Sequence, residues 1–200
     1  MPVIAEATCL RFLIDIAVAV LIATTVGFST AWYAVEHGRQ YGAVAVQQWT
    51  AWPRAGGPDA DPYSVALLAR TGEVPLGAGE GVAFTAEADD TGMPLTGRCS
   101  YLVAGQTPAA RLWTLTGYDA TGRLMANAAR RSGFHSREIV RHPDGGIEIM
   151  VSTKASPGNW LPIARVDRFR LVFRLYDTPL TAGSGAADIV MPRISRSGCE

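Results

Sequence analysis

The groups best suited to chemistry fall in one run, Arg130-Arg131-x-x-x-His135-x-Arg137-x-x-x-Arg141-His142. A guanidinium is a planar, permanently charged fork that meets a carboxylate or phosphate two bonds at a time. An imidazole changes charge near neutral pH and serves as general acid or base. Alternate residues of a strand share a face. With Gly133–Val140 read as a strand, His135 and Arg137 therefore point to one side, and Arg131 joins them. This run is the leading candidate for an anion pocket, with His135 as its acid or base. The competing reading is an inert surface histidine among solvated arginines.

A second cluster is PGNWLPIARVDRFRLVFRLYD, Pro157–Asp177. Pro157-Gly158 sets a turn, Asn159 tolerates left-handed backbone, and Pro162 blocks a helix. Trp160 is a candidate platform for a sugar ring or an apolar ligand, and Trp113 in RLWTLTGYD is another. The plainer reading makes Trp160 a plug at one end of the fold. In the strand that follows, Phe169, Leu171, Phe173 and Leu175 share one face, and Arg168, Arg170, Val172 and Arg174 share the other. Three guanidiniums in a row offer an anion site, or a solvated face that discourages edge pairing.

Other chemistry finds little support. There is no G-x-S-x-G elbow, and Gly183–Gly185 reads as a loop. No glycine-rich loop joins a strand to a helix, so nucleotide cradling is not expected. His37, His135 and His142 lack the spacing of a metal set, so no metal and no cofactor is implied. The acids Glu80, Glu87, Asp89, Asp90, Asp119, Asp144 and Glu148 are scattered. Glu148 would reach an arginine such as Arg137 across a sheet. Net charge is zero, without a basic patch, so nucleic acid is not an expected partner.

The elements that must position these groups are short strands. GVAFTAEA, CSYLVA, RLWTLTGYD, IEIMVS and RFRLVFRLY alternate apolar and polar residues. Turn signals separate them at Asp90–Gly92, Asp119–Gly122 and Pro143–Gly146. Seven or eight strands at roughly ten-residue spacing predict an antiparallel sandwich or barrel. Before them, Asp61-Pro62 and Gly72 bracket a short helix, Pro62–Arg70. Trp49 and Trp52 would share a face on a helical turn. No repeat is evident. The tail LTAGSGAAD reads as a flexible loop.

At the N-terminus, Ile16–Val35 holds twenty residues without a charge. At about 1.5 Å per residue this run matches a bilayer core of roughly 30 Å. Trp32 and Tyr33 close it as an aromatic belt would. A buried core helix is one rival. A cleaved signal peptide is the stronger one, with Ser29 and Ala31 as a small-x-small site. Glu6, Arg11 and Asp15 make a poor positive n-region, so an uncleaved anchor is preferred. Arg11 against Arg39 and Arg54 leaves the charge bias near a tie. A lone span before one domain points to a periplasmic body. Cys99 and Cys199 then either form a disulfide, as an oxidising compartment permits, or remain free thiols. Cys9 precedes the span.

The blocks LWTLTGYDATGRLMAN, Asp144–Gly146, PGNWLP and FRLVFRLYDTP, extended by ADPY and GEVPLGAGEGVAF, resemble the bacterial family called domain of unknown function 1214. The likeness runs from Ala60 to Arg196. In longer relatives this domain is fused to a second one, and the pair looks like jelly-roll β-sandwiches. Short versions with an N-terminal span look like this chain. The resemblance implies fold and anchoring, and no catalytic residues.

The expectation is a tail and transmembrane helix over 1–36, a linker over 37–59, and a mainly β, antiparallel, jelly-roll-like sandwich over 60–200. The bilayer is the expected partner of the helix. A glycan, lipid or envelope protein is the expected partner of a non-catalytic body on the inner membrane. The alternative is a hydrolase acting on an envelope carbohydrate or ester. Convergence of His135, Arg137 and a carboxylate in one concavity would favour that alternative.

Overall fold

A computed structural model describes residues 2–37, 42–77, 79–182 and 189–199. Arg39 and the Gly183–Gly185 stretch lie outside the described residues, as do the side chains of Glu6, Cys9 and His37. Contacts divide the chain into two compact units. One is Met1–Gln40 with Asp61–Gly72, and the other is Tyr41–Ala60 with Glu73–Glu200.

The first unit is helical. Helix α1 (Pro2–His37) contains Arg11–Glu36, which is long and apolar enough to cross a bilayer by length and composition. Its hydroxyls do not oppose this. Thr24 and Thr30 donate to the carbonyls of Val20 and Val26, both at 2.8 Å, so the polar groups are satisfied within the helix. Helix α2 (Pro62–Thr71) forms where its caps demand. Asp61 accepts from the Tyr63 and Ser64 N–H groups at 3.0 Å, and Gly72 at φ 67° donates back to Leu68. Arg70 pairs with Glu36.

The second unit is β. Strands β1 (Val44–Val46), β2 (Trp49–Ala51), β3 (Gly81–Ala86), β4 (Cys99–Gly105), β5 (Leu112–Asp119), β6 (Gly133–His135), β7 (Ile147–Ser152), β8 (Trp160–Pro162), β9 (Phe169–Tyr176) and β10 (Arg193–Cys199) form two sheets. One has the order β1-β2-β3-β9-β5-β6, the other β10-β4-β7-β8. The chain passes back and forth between them, from β3 to β4 to β5 and from β8 to β9 to β10. Phe84, Leu115 and Phe173 of the first sheet share a core with Tyr101, Val103 and Ile149 of the second. Tyr101 meets Phe169 edge-on between the sheets at 5.7 Å. The architecture is mainly β and sandwich-like, and it is not a closed barrel.

Three expectations change. The stretch read as a linker contains the hairpin β1–β2, turned at Gln47 with φ 55°. Trp49 sits on a strand, not a helical turn. It is fully buried, with its indole N–H 2.7 Å from the Pro192 carbonyl and its ring 5.8 Å from Phe173. The second sheet is mixed, because β8 runs parallel to β7. Asn159 explains that pairing. Its buried amide donates to the Val140 and Glu148 carbonyls at 2.8 Å and accepts from the Val140 N–H at 2.9 Å. It is a clamp for β8, not a left-handed turn residue.

Cys99 and Cys199 face each other across β4 and β10 and are joined as a disulfide.

Candidate functional site

Alternation along β5 and β9 builds the site. Trp113, Leu115, Phe173 and Leu175 point into the core, so Leu112, Thr114, Arg174 and Tyr176 line the outer face of the six-stranded sheet. Register then sets neighbours. Leu112 lies opposite Tyr176, and Thr114 lies between Arg174 on one side and His135 on the other. Arg111 enters β5 at one edge and Arg137 leaves β6 at the other. These elements enclose an open groove of about 450 Å³ lined by Arg111, Leu112, Thr114, His135, Arg137 and Tyr176.

The polar geometry is local. Past Gly133–His135 the chain turns, so the strand expected to reach Val140 stops early. In that turn His135 donates its N–H to Glu138 Oε1 at 3.0 Å, and its Nδ1 accepts from the Arg137 N–H at 3.3 Å. An accepting Nδ1 places the ring proton on Nε2, which faces Glu138 Oε2 at 3.5 Å. Arg111 pairs with Asp177 at 3.0 Å. Arg137 has no ion-pair partner among the described residues.

Of the candidates read from sequence, His135 and Arg137 come together. Arg131 does not join them, since its guanidinium lies 4.5 Å over the ring of Phe134, which points inward. Trp113 is buried and stacked on Phe173 at 4.9 Å, so it belongs to the core. Trp160 is half-buried on β8, its indole donating to the Ser152 carbonyl at 3.1 Å. Glu148 meets His142 at 3.1 Å rather than Arg137. Arg141 donates to the Gly145 carbonyl at 2.8 Å and lies 5.8 Å over Trp113. The row of arginines on β9 is broken up. Arg168 precedes the strand, Arg170 pairs with Glu73, Val172 is buried, and Arg174 covers Tyr118 at 5.4 Å. Among the described residues no group of His, Cys, Asp or Glu comes together that could hold a metal ion.

Arg111, Leu112, Thr114 and Tyr176 were not singled out from the sequence. Nothing local marks them. Leu112 and Tyr176 become neighbours only through the pairing of β5 with β9, which two distant segments decide.

Helix, two-sheet body and groove define the class: a β-sandwich-like domain in a chain that carries a helix of membrane-spanning length. The family described as "Protein of unknown function (DUF1214)" matches residues 80–180, and the chain belongs to that family. Its fold is similar to that of the VPA0106 protein from Vibrio parahaemolyticus, with a TM-score of 0.57 and 26% identity over 70% of this chain and 36% of that one. An uncharacterised protein from Burkholderia cenocepacia gives 0.41 and 18% over 62% of this chain and 31% of its own. The chain thus spans about a third of the length of these solved relatives. No curated protein matches it.

Proposed function

We propose that the protein is a single-pass inner-membrane protein whose β-body, on the extracytoplasmic side, is a non-catalytic binding module for an envelope ligand carrying an anionic group. The observation that carries this reading is the groove, where His135 and Arg137 flank a floor of Leu112 and Tyr176. A concave, largely apolar surface with a few convergent polar groups is the usual form of a small-ligand site. The α1 segment supports the anchor, and the Cys99–Cys199 disulfide supports an oxidising compartment.

Three measurements test it. A phosphatase fused after Glu200 should be active, and the chain should stay with carbonate-washed membranes. A soluble mature protein lacking the first thirty residues would overturn the anchor. Thr114→Trp, which fills the groove from an outward position, should abolish capture of envelope ligands and leave folding intact.

A hydrolase is the second reading, favoured by the His135–Glu138 contact beside Arg137. Binding fits better because the side chains of His135 and Glu138 are 47% and 39% exposed, and their contact spans one short turn. Acid–base catalysis gains most from groups withdrawn from water and tuned by burial. Turnover of an envelope glycan or ester that His135→Ala eliminates would favour the hydrolase.

A further inference from the structure

We infer that the groove selects a carboxylated saccharide, a monoanion, and that Arg137 is the residue that holds the carboxylate. This rests on the reading of the groove as a ligand site. The arginines around the groove differ in whether an acid meets them. Arg111 is offset by Asp177, and His135 stands against Glu138. Neighbouring arginines are engaged elsewhere: Arg174 over Tyr118, Arg141 on Gly145 and Trp113, Arg131 over Phe134. Of the two arginines that line the groove, Arg111 has an ion-pair partner and Arg137 has none among the described residues, and Arg137 is exposed. One guanidinium fork without an ion-pair partner fits one carboxylate through two parallel N–H donors. A phosphomonoester dianion would meet stronger repulsion from Glu138, whose contact is a His135 ring that accepts at Nδ1 and carries its proton on Nε2.

The floor sets the rest of the ligand. Leu112 and Tyr176 lie directly opposite each other across β5 and β9 and offer an apolar and aromatic surface. Such a surface suits the C–H face of a sugar ring. The Thr114 hydroxyl and the His135 edge supply hydrogen bonds at its rim. The groove's volume, about 450 Å³, falls within the range of small-ligand sites and accommodates one or two rings. Being open, it accepts part of a longer chain.

The test uses the full-length chain in detergent micelles and calorimetric titration with three probes: galacturonate, neutral galactose, and galactose 1-phosphate. Galacturonate should bind at least tenfold more tightly than galactose. Arg137→Gln should weaken it roughly ten- to hundredfold, since a charge-assisted bidentate contact is lost. Arg137→Lys should recover part of that loss. Because Arg137 is exposed, its unfolding midpoint serves as a fold control and should not move. Tighter binding of galactose 1-phosphate, still sensitive to Arg137→Gln, overturns the carboxylate assignment and leaves the groove reading standing. Uronate binding that ignores both Arg137→Gln and Thr114→Trp overturns the groove reading too. Absence of binding by all three probes overturns the inference.

Discussion

Two turns in the β-body share a sequence pattern and a hydrogen-bond scheme, yet stand in opposite surroundings. Asp89-x-Thr91-Gly92 and Asp119-x-Thr121-Gly122 each fold around an aspartate. Asp89 accepts from the Thr91 N–H, the Thr91 hydroxyl and the Met93 N–H at 3.0, 2.6 and 3.0 Å. Asp119 accepts from the Thr121 N–H, the Thr121 hydroxyl and the Arg123 N–H at 2.8, 2.7 and 2.9 Å. Both glycines take left-handed backbone, φ 83° and 79°. Both turns close on a single bridge, Ala88 to Pro94 and Tyr118 to Leu124. The local code is sufficient for the turn.

What differs is what lies outside it. Asp89 is 1% exposed and sits 2.8 Å from Arg196 of β10, and the Asp90 N–H bonds the Ile194 carbonyl at 2.8 Å. Arg196 also covers Tyr101 at 5.6 Å. One turn therefore ties down the last strand, which the Cys99–Cys199 disulfide holds at its far end. Among the described residues the Asp119 side chain bonds only Thr121 and Arg123 of its own turn. Identical local geometry carries a long-range role in one place and only a local one in the other.

That contrast can be broken by substitution, and the effects should fall in a definite order. Cys199→Ala opens a crosslink with a sequence separation of 100 residues and should cost about 4 kcal/mol, read as a lower denaturant midpoint under non-reducing conditions. Asp89→Ala should cost about 3 kcal/mol, because it strands Arg196 without its partner in a largely buried setting. Equal sensitivity to Asp89→Ala and Asp119→Ala would break the contrast. Gly92→Ala and Gly122→Ala should each cost about 1–2 kcal/mol from left-handed strain. Gly122→Ala should be the worse, since its Cβ would come 2.9 Å from Arg170 Nη2 and disturb the Arg170–Glu73 pair, whereas Gly92 faces open space. Asp119→Ala should have the smallest effect of the set, well under half the midpoint shift of Asp89→Ala.

Acid sharpens the same comparison. Burial works to raise the Asp89 carboxyl, but the Thr91 hydroxyl, the Met93 and Thr91 N–H groups and Arg196 together hold it below the usual value. The Thr121 hydroxyl, with the Arg123 and Thr121 N–H groups, does the same for Asp119. A carboxyl lowered in the folded state stabilises it fully above its unfolded value, about 3.9. That contribution is lost as pH falls through the lower folded value. Unfolding midpoints measured from pH 7 down to pH 2 should therefore drop on the acid side. In Asp89→Asn the curve should start lower and fall less. Parallel curves for wild type and Asp89→Asn would contradict this assignment.

Legibility from sequence followed the range of the interactions. Helix α2 could be read because Asp61, Pro62 and Gly72 act on their own few residues. The long strands could be read because alternation is written along each one, as in Phe169–Leu175. Trp49 was misplaced because its partners, Pro192 and Phe173, lie far along the chain. Strand β8 was missed because Asn159 and not its own apolar pattern holds it beside β7. The groove was half legible: His135 and Arg137 stand two residues apart, whereas Leu112 and Tyr176 needed the register of β5 with β9.

The sequence by itself determined the apolar rod, the cap-bounded helix, the turn chemistry and the two-residue period of the body. These depend on neighbours along the chain, where spacing alone fixes geometry. Only the tertiary structure decided which aspartate is buried, which of the groove's two arginines meets an acid, and which outward side chains meet as a groove. Those outcomes depend on sheet order and register between segments up to a hundred residues apart, a free-energy choice that no short stretch encodes.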